Sequence, residues 1–177
     1  KSLEKLIDIY FNSVGLNSSL LLNIPVDTRG LIHENDAQRM IELNNYLKST
    51  FKNNLITNSK IGINKRKVSL KNVTDKDFNT FHALKSKEKN IITISFNKEL
   101  PANIFEISEN INLGQRVKAF KFEIKVNNKW QTIKRGTTIG SKRLIRFSNN
   151  NIQGLRISIL DSKDVPLISE LGLYSSN

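Results

Sequence analysis

Apolar and polar positions follow two different rhythms along this chain. In residues 1–14, Leu3, Leu6, Ile7, Tyr10, Phe11 and Val14 recur at helical spacing and form one stripe, which predicts an amphipathic helix. Gly15 follows as the expected C-terminal cap. The run LLLNIP at residues 20–25 is nearly all apolar and closes on proline, the pattern of a strand buried on both faces. A second helix is expected from about His33 to Phe51. Glu34 and Asp36 lie in its first turn, where they suit the helix dipole, and Ala37, Met40, Ile41, Asn44 and Leu47 form its expected buried side. Helix, buried strand and helix in this order make an α-β-α unit of the kind that repeats in α/β folds. A strand of that kind needs neighbours on both edges, and this unit contains none.

Beyond residue 52 the period changes to two. In ITISF (92–96), Ile92, Ile94 and Phe96 alternate with polar residues; in FKFEIKV (120–126), Phe120, Phe122, Ile124 and Val126 do so; in LRISIL (155–160), Leu155, Ile157 and Ile159. Turn signals are read at residues 97–103, 126–130 and 147–154. Short alternating strands so spaced predict an antiparallel β-sandwich or jelly roll. Residues 53–90 are polar and rich in Lys and Asn, and they are read as a connection and first loops. The expected fold class is therefore mainly β, an antiparallel sandwich over residues 53–177 preceded by an α-β-α piece over residues 1–52.

Composition narrows the function classes. The chain has 177 residues, 38% apolar and 25% charged, with no stretch near the ~20 apolar residues a membrane helix needs. No membrane partner is expected. Cysteine is absent, which removes disulfides, thiol nucleophiles and Cys-based zinc sites. Lys1 already lies in a helical pattern, so the chain reads as a piece of a longer protein. The net charge of +12 is uneven: residues 1–48 carry net −1 and residues 49–177 net +13. A basic segment can attract nucleic acid or other anionic polymers. These lysines and arginines are scattered along the sequence, however, and read first as a solvated surface. The apolar faces absorb Phe120, Phe122 and Phe147, which leaves no aromatics interleaved with cations for nucleic acid.

Two segments resemble a known family. The stretch SVGLNSSLLLNIPVDTRGLIHENDAQRM (13–40) resembles the last strand and helix of the catalytic barrel of the α-L-fucosidases of glycoside hydrolase family 29. The stretch 110–174, with NINLGQRVKAFKFEI, WQTI, GTTIGSKRLIRF and LRISILDSKDVPLISELGLY, resembles the β-sandwich that follows the barrel, related to discoidin-like or coagulation-factor type C domains. Val26 departs from a usual second proline, and Arg29 from a common acidic residue. The resemblance makes LLLNIP the eighth strand of a (β/α)₈ barrel, with Asn23 and the loop 25–30 on the catalytic face. It implies an upstream catalytic barrel, fucosylated glycans as substrates, and a periplasmic or secreted location.

Retaining glycosidases use two carboxyl groups roughly 5–5.5 Å apart. The resemblance puts both before strand eight, so this chain is expected to hold neither and to be inactive by itself. Asp27, the one carboxylate near LLLNIP, reads as a turn residue. His33 and His82 lie in different segments, with no triad or metal spacing around them. No cofactor is required. The stretch VTDKDFNTF (73–81) resembles the calcium loop of discoidin-like domains, which implies Asp75, Asp77, Thr80 and Glu170 as oxygen ligands of a structural calcium ion. Lys76 stands where the family has Gly, and an Asp-rich turn without metal is the competing reading. Trp130 reads as a core residue or a sugar platform. Gln115, Arg116, Lys142 and Arg143 could meet carbohydrate or fasten the sandwich to the barrel, and the interface is the favoured reading. The alternative to an enzyme fragment is a carbohydrate-binding or adhesion module that stands alone.

Overall fold

A computed structural model describes residues 1–57, 59–69, 71–87 and 89–176, with Asn149 by its backbone only. The elements, in chain order, are α1 (Leu3–Asn12), α2 (Glu34–Thr50), β1 (Lys60–Ile63), β2 (Arg66–Val68), β3 (His82–Ala83), β4 (Asn90–Glu109), β5 (Val117–Val126), β6 (Lys129–Gly136), β7 (Arg143–Ser162) and β8 (Leu167–Tyr174). All pairings are antiparallel.

The three alternating segments lie in β4, β5 and β7, and their inward sets are the core. Ile92, Ile94, Phe120, Phe122, Ile124, Leu155, Ile157 and Ile159 are buried, while Phe96 and Val126 pack at the margin. The hairpin at Asn127 and Asn128 turns with both residues at positive φ, as a two-residue hairpin of matching twist requires. Asn64 and Lys65 do the same between β1 and β2.

β4 and β7 are each 20 residues long. Their pairing runs from Asn90↔Ile159 to Ile107↔Arg143, with register shifts between Ser95 and Leu100 and between Ala102 and Ile104. There the paired strands bend and pass from one layer of the sandwich to the other. The first half of β4 and the second half of β7 belong to the layer β2-β1-β4-β7-β5-β6; their other halves join β8 and β3. The layers meet in a ring stack of Phe105 and Phe122, with centroids 4.4 Å apart and planes 5° apart. Residues 97–103 and 147–154 are therefore bends within strands, whereas their composition reads as turns. Pro101 sits in the bend, where a strand tolerates proline. The polar stretch 53–90 also holds more order than expected. β1 to β3 lie in it, and Ile56, Ile61, Ile63, Val73 and Leu84 enter the core.

The helices cover the outer face of the β4–β8 layer. Ser2 caps α1 by accepting from the Lys5 amide, and His33 Nδ1 caps α2 by accepting from that of Asn35. Phe11 is buried with Ile104, Leu144 and Tyr174, and Ile7, Tyr10, Tyr46 and Phe51 pack around them. This second cover buries all of β8 and the end of β4 on both faces. Gly15 differs from its expected role. Its φ is not positive; Asn17 takes the left-handed position at φ 67, and Gly15 is needed because a Cβ there would lie 2.5 Å from the Phe11 carbonyl. The buried side of α2 centres on Leu43 and Thr50, while Ile41 and Asn44 are exposed.

Residues 20–25 form no strand. They are unpaired, and Leu21 is 93% exposed. The apolar pattern alone cannot make a ladder, because no neighbouring strand lies beside it to supply partners for its backbone groups. Two substitutions in the 177-residue chain measure this contrast. Phe122→Ala, which empties the core, is expected to cost about 3–5 kcal/mol by urea denaturation, whereas Leu21→Ala changes stability by about 0.5 kcal/mol or less.

Candidate functional site

Sequence positions singled out above gather where the helices, the loop 72–80 and the β4–β8 layer meet. On the outer face of that layer, Glu106 and Ser108 of β4 stand beside Glu170, Gly172 and Tyr174 of β8. Tyr10 and Phe51 close over them, the Phe51 and Tyr174 rings meeting edge to face at 5.0 Å. Lys142 Nζ lies 3.0 Å from Glu106 Oε1 and 6.0 Å from the Phe51 ring centroid. Burial works against the charge on Lys142, but the Glu106 carboxylate outweighs it and holds the lysine pKa above its ordinary value. Burial drives the Tyr174 phenol pKa upward, and the neighbouring carboxylates add to it.

Lys142 therefore sits between the sheet and the segment that ends α2, while Arg143 is engaged with loops. Arg143 donates to the Thr138 carbonyl and its backbone bridges to Leu16. Beside them, the Ser141 amide and hydroxyl both donate to Asn17 Oδ1 at 2.7 Å. Arg146 adds an ion pair to Asp8 at 2.8 Å and sits 4.7 Å over the Phe11 ring. Arg116 fastens two loops, donating to the carbonyls of Val165 and Leu113. Gln115 is exposed. Trp130 is half-buried on the outer face of β6, outside the core, with the Arg156 guanidinium 4.3 Å from its ring centroid.

Sequence reasoning missed Glu109, which is 2% exposed. Its Oε1 accepts from the amides of Arg116 and Val117, and its Oε2 from that of Gly140. This one carboxylate ties GQRV to TTIG, the two motifs that carry the family resemblance. An acid eight residues before Val117, just ahead of the GQRV motif, was the available signal.

In the loop 72–80, one hydroxyl is crowded by oxygens. Thr80 Oγ1 lies 2.8 Å from Asp75 Oδ2, 3.1 Å from the Asp77 carbonyl and 3.4 Å from the Asn72 carbonyl. It has one proton, so it satisfies one of the three. Glu170 Oε2 accepts from the Lys76 amide at 3.1 Å, and its Oε1 is buried without a partner. The site brings Asp75, Thr80 and Glu170 together. Asp77 offers its carbonyl, since its carboxylate receives the amide and side chain of Asn79. Lys76 adopts φ 61, the conformation Gly would take freely, and its Nζ donates to the Phe51 carbonyl. Among the described residues no three acidic or imidazole side chains converge on one point. The set is two carboxylates, a hydroxyl and carbonyls, all hard oxygens, which suits calcium.

At the other end of α1, Asn23 is exposed at the rim of a cleft lined by Leu6, Leu22, Ile24, Arg39 and Met40. Asp27 is a turn residue, accepting from the amides of Arg29 and Leu31 and from the Arg29 side chain. His82 lies in β3, its pKa lowered by burial.

No protein-family profile matches the chain. It is 34% identical over 184 residues to alpha-L-fucosidase 1 of Arabidopsis thaliana, a match that spans 98% of this chain and 36% of that protein. Among solved structures, a putative alpha-L-fucosidase from Bacteroides thetaiotaomicron superposes with a TM-score of 0.91 at 34% identity, over 100% of this chain and 40% of that one. This chain is a relative of the α-L-fucosidases of glycoside hydrolase family 29. A Ruminococcus gnavus family 29 fucosidase solved in complex with fucose matches equally well, at TM-score 0.91 and 33% identity over 37% of its length. The chain thus spans little more than a third of these fucosidases, and the portion matched is their C-terminal part. A chitosan-binding module of a Paenibacillus chitosanase/glucanase shares the fold alone, at TM-score 0.58 and 14% identity over 69% of this chain.

Burial, with Asp75 and Glu106 adding to it, raises the Glu170 pKa from 4.5 to about 7. The neutral form is therefore favoured by folding. The stability this confers is complete below pH 4.5 and is lost as pH rises through about 7. In chelator, wild type should lose stability across that window on denaturant titration, and Glu170→Gln should flatten the profile.

Proposed function

We propose that the protein carrying this chain is a retaining, exo-acting α-L-fucosidase that releases terminal α-L-fucose from glycans. The observation that carries the reading is the match of the entire chain, in sequence and in fold, to fucosidases of family 29. Residues 1–52 would complete the catalytic barrel and residues 53–177 form its accessory sandwich. The unpaired residues 20–25, with Leu21, Asn23 and Pro25 exposed, support this division, because an adjacent barrel strand would supply their missing backbone partners. In this reading Asn23 faces the active site. The sandwich braces the barrel through Glu106, Lys142 and the aromatic contact with α1 and α2.

No helix of the described residues is long and apolar enough to cross a membrane. Extracellular or periplasmic action on glycans is part of the proposal. The catalytic carboxyl pair lies upstream in this reading. The full-length protein should hydrolyse an aryl α-L-fucoside, and the 177-residue chain should not; turnover by the chain alone, above a blank, would refute the division of labour.

The second part of the proposal is a structural calcium ion held by Asp75, Thr80 and Glu170 with the carbonyls of Asn72 and Asp77. Bound there it would supply charge compensation and no chemistry for the reaction. A thermal melt should fall by several degrees on adding chelator and recover with excess calcium, and Asp75→Ala should abolish that response. An unchanged melt in wild type refutes the ion.

A further inference from the structure

The lysines and arginines that lie scattered in sequence are gathered by strand register onto one surface. Directly opposed residues of antiparallel strands share a face. Three rows can be read across the layer β6-β5-β7-β4-β1-β2. The first runs Thr132, Glu123, Arg156, Thr93, Gly62, Lys67; the second Trp130, Lys125, Gly154, Ser95, Lys60; the third Arg135, Lys121, Ser158, Ile91. These rows lie opposite the core-facing set Phe120, Phe122, Ile124, Leu155 and Ile157, so they form the outer face of the layer. The helices cover the other layer, and this face is left to solvent.

Six cations stand on it: Lys60, Lys67, Lys121, Lys125, Arg135 and Arg156. In those rows they meet one carboxylate, Glu123. Arg156 holds that carboxylate at 2.7 Å and Lys121 at 3.0 Å, and Glu123 is itself only 4% exposed. At the margin Asp161 is taken by Lys118 at 2.7 Å. Lys60, Lys67, Lys125 and Arg135 have no ion-pair partner among the described residues. Hydroxyls alternate with these charges, at Thr93, Ser95 and Thr132. The surface carries hydroxyls and is strongly positive.

We infer that this outer sheet face is a docking surface for an extended anionic polysaccharide, a chain bearing carboxylates or sulfates along its length. Charge complementarity identifies the partner as a polyanion. Strands lie ~4.8 Å apart, so along the rows Arg135 and Lys121 stand one strand apart, and Arg156 and Lys67, like Lys125 and Lys60, stand three strands or roughly 14 Å apart, a spread that an extended polyanion can span and a single small anion cannot. The choice of polysaccharide over nucleic acid stands on two further observations. Trp130 is the one aromatic residue in those rows, and Arg156 already lies over its ring, so no stacking platform is left for bases. The hydroxyl side chains match a hydroxylated partner. The choice of a sugar polymer also rests on the fucosidase reading.

The test uses the full-length protein and polygalacturonate as the probe, with neutral dextran and single-stranded oligothymidylate as comparisons, at about 0.01 M and about 0.15 M salt. Polygalacturonate should bind more tightly than either comparison and weaken as salt rises. Replacing Lys60, Lys67, Lys125 and Arg135 with serine should weaken it at least tenfold. These four side chains lie at the surface, so their loss leaves the core intact. A control replacing Lys5, Lys48, Lys52 and Lys163 removes the same charge elsewhere and should change affinity by less than about twofold. Equal losses in the two variants would reduce the effect to net charge and overturn the inference, as would equal binding of dextran. Tighter binding of oligothymidylate overturns the choice of polysaccharide. Hydrolysis of an aryl α-L-fucoside is read separately on the unmodified protein. Turnover without polygalacturonate binding overturns this inference alone, and absent turnover overturns the fucosidase reading.

Discussion

The pairing of β4 with β7 is the constraint on which the remaining structure depends. β1 and β8 pair with β4, β5 with β7, and the three short or peripheral strands attach through those. Both strands are long enough to pass through each layer, and they bend together where their register slips. Without that shared bend there would be one sheet with an exposed apolar face. With it, Phe105 in one layer meets Phe122 in the other, and the core closes between them.

Closure of the two layers leaves loose ends, and buried polar groups secure them. Glu109 holds three backbone amides from two loops, each a charge-assisted bond. Asn54 performs the corresponding task on the free edge of β8: its side chain donates to the Leu171 carbonyl and accepts from the Leu173 amide, so part of that edge presents no open ladder. These contacts join residues far apart in sequence, and they therefore depend on the β4–β7 frame being in place first.

The legible part of the sequence was the part whose periodicity reflects a single buried face. ITISF, FKFEIKV and LRISIL each have one face in the core and one in water, and alternation records that asymmetry. The last strand, LISELGLY, is buried on both faces, so it carries no alternation to read. NKELPAN and FSNNNIQG have the composition of turns because a bend in a paired strand needs the same residues a turn does. LLLNIP is the opposite case, a strand pattern with no partner beside it. The basic face was illegible for a geometric reason. Lys60, Lys67, Lys125, Arg135 and Arg156 become neighbours only once five pairings fix the register, and no local window of sequence contains that information. Among the site residues, Asp75, Thr80 and Glu170 could be named through a family pattern, while Glu109 belongs to none of the patterns read here.

The join between helices and sheet has a charge imbalance that bears on its chemistry. Burial, together with the nearby Glu106 and Asp75, raises the Glu170 pKa, while Lys142 is committed to Glu106. Lys76, next in line, sends its ammonium to the Phe51 carbonyl and gives Glu170 its amide, and these together do not outweigh burial and the neighbouring carboxylates. A buried carboxylate oxygen without a partner costs about 1–3 kcal/mol, more when it is charged. Two responses are open to it, protonation or a cation. A divalent ion between Asp75 and Glu170 would offset the imbalance and tie β8 to the loop that Thr80 organises. The same contact would brace the segment around Phe51, where α2 hands over to the sandwich. The oxygen cluster is thus placed where a single ion would act on both halves of the chain.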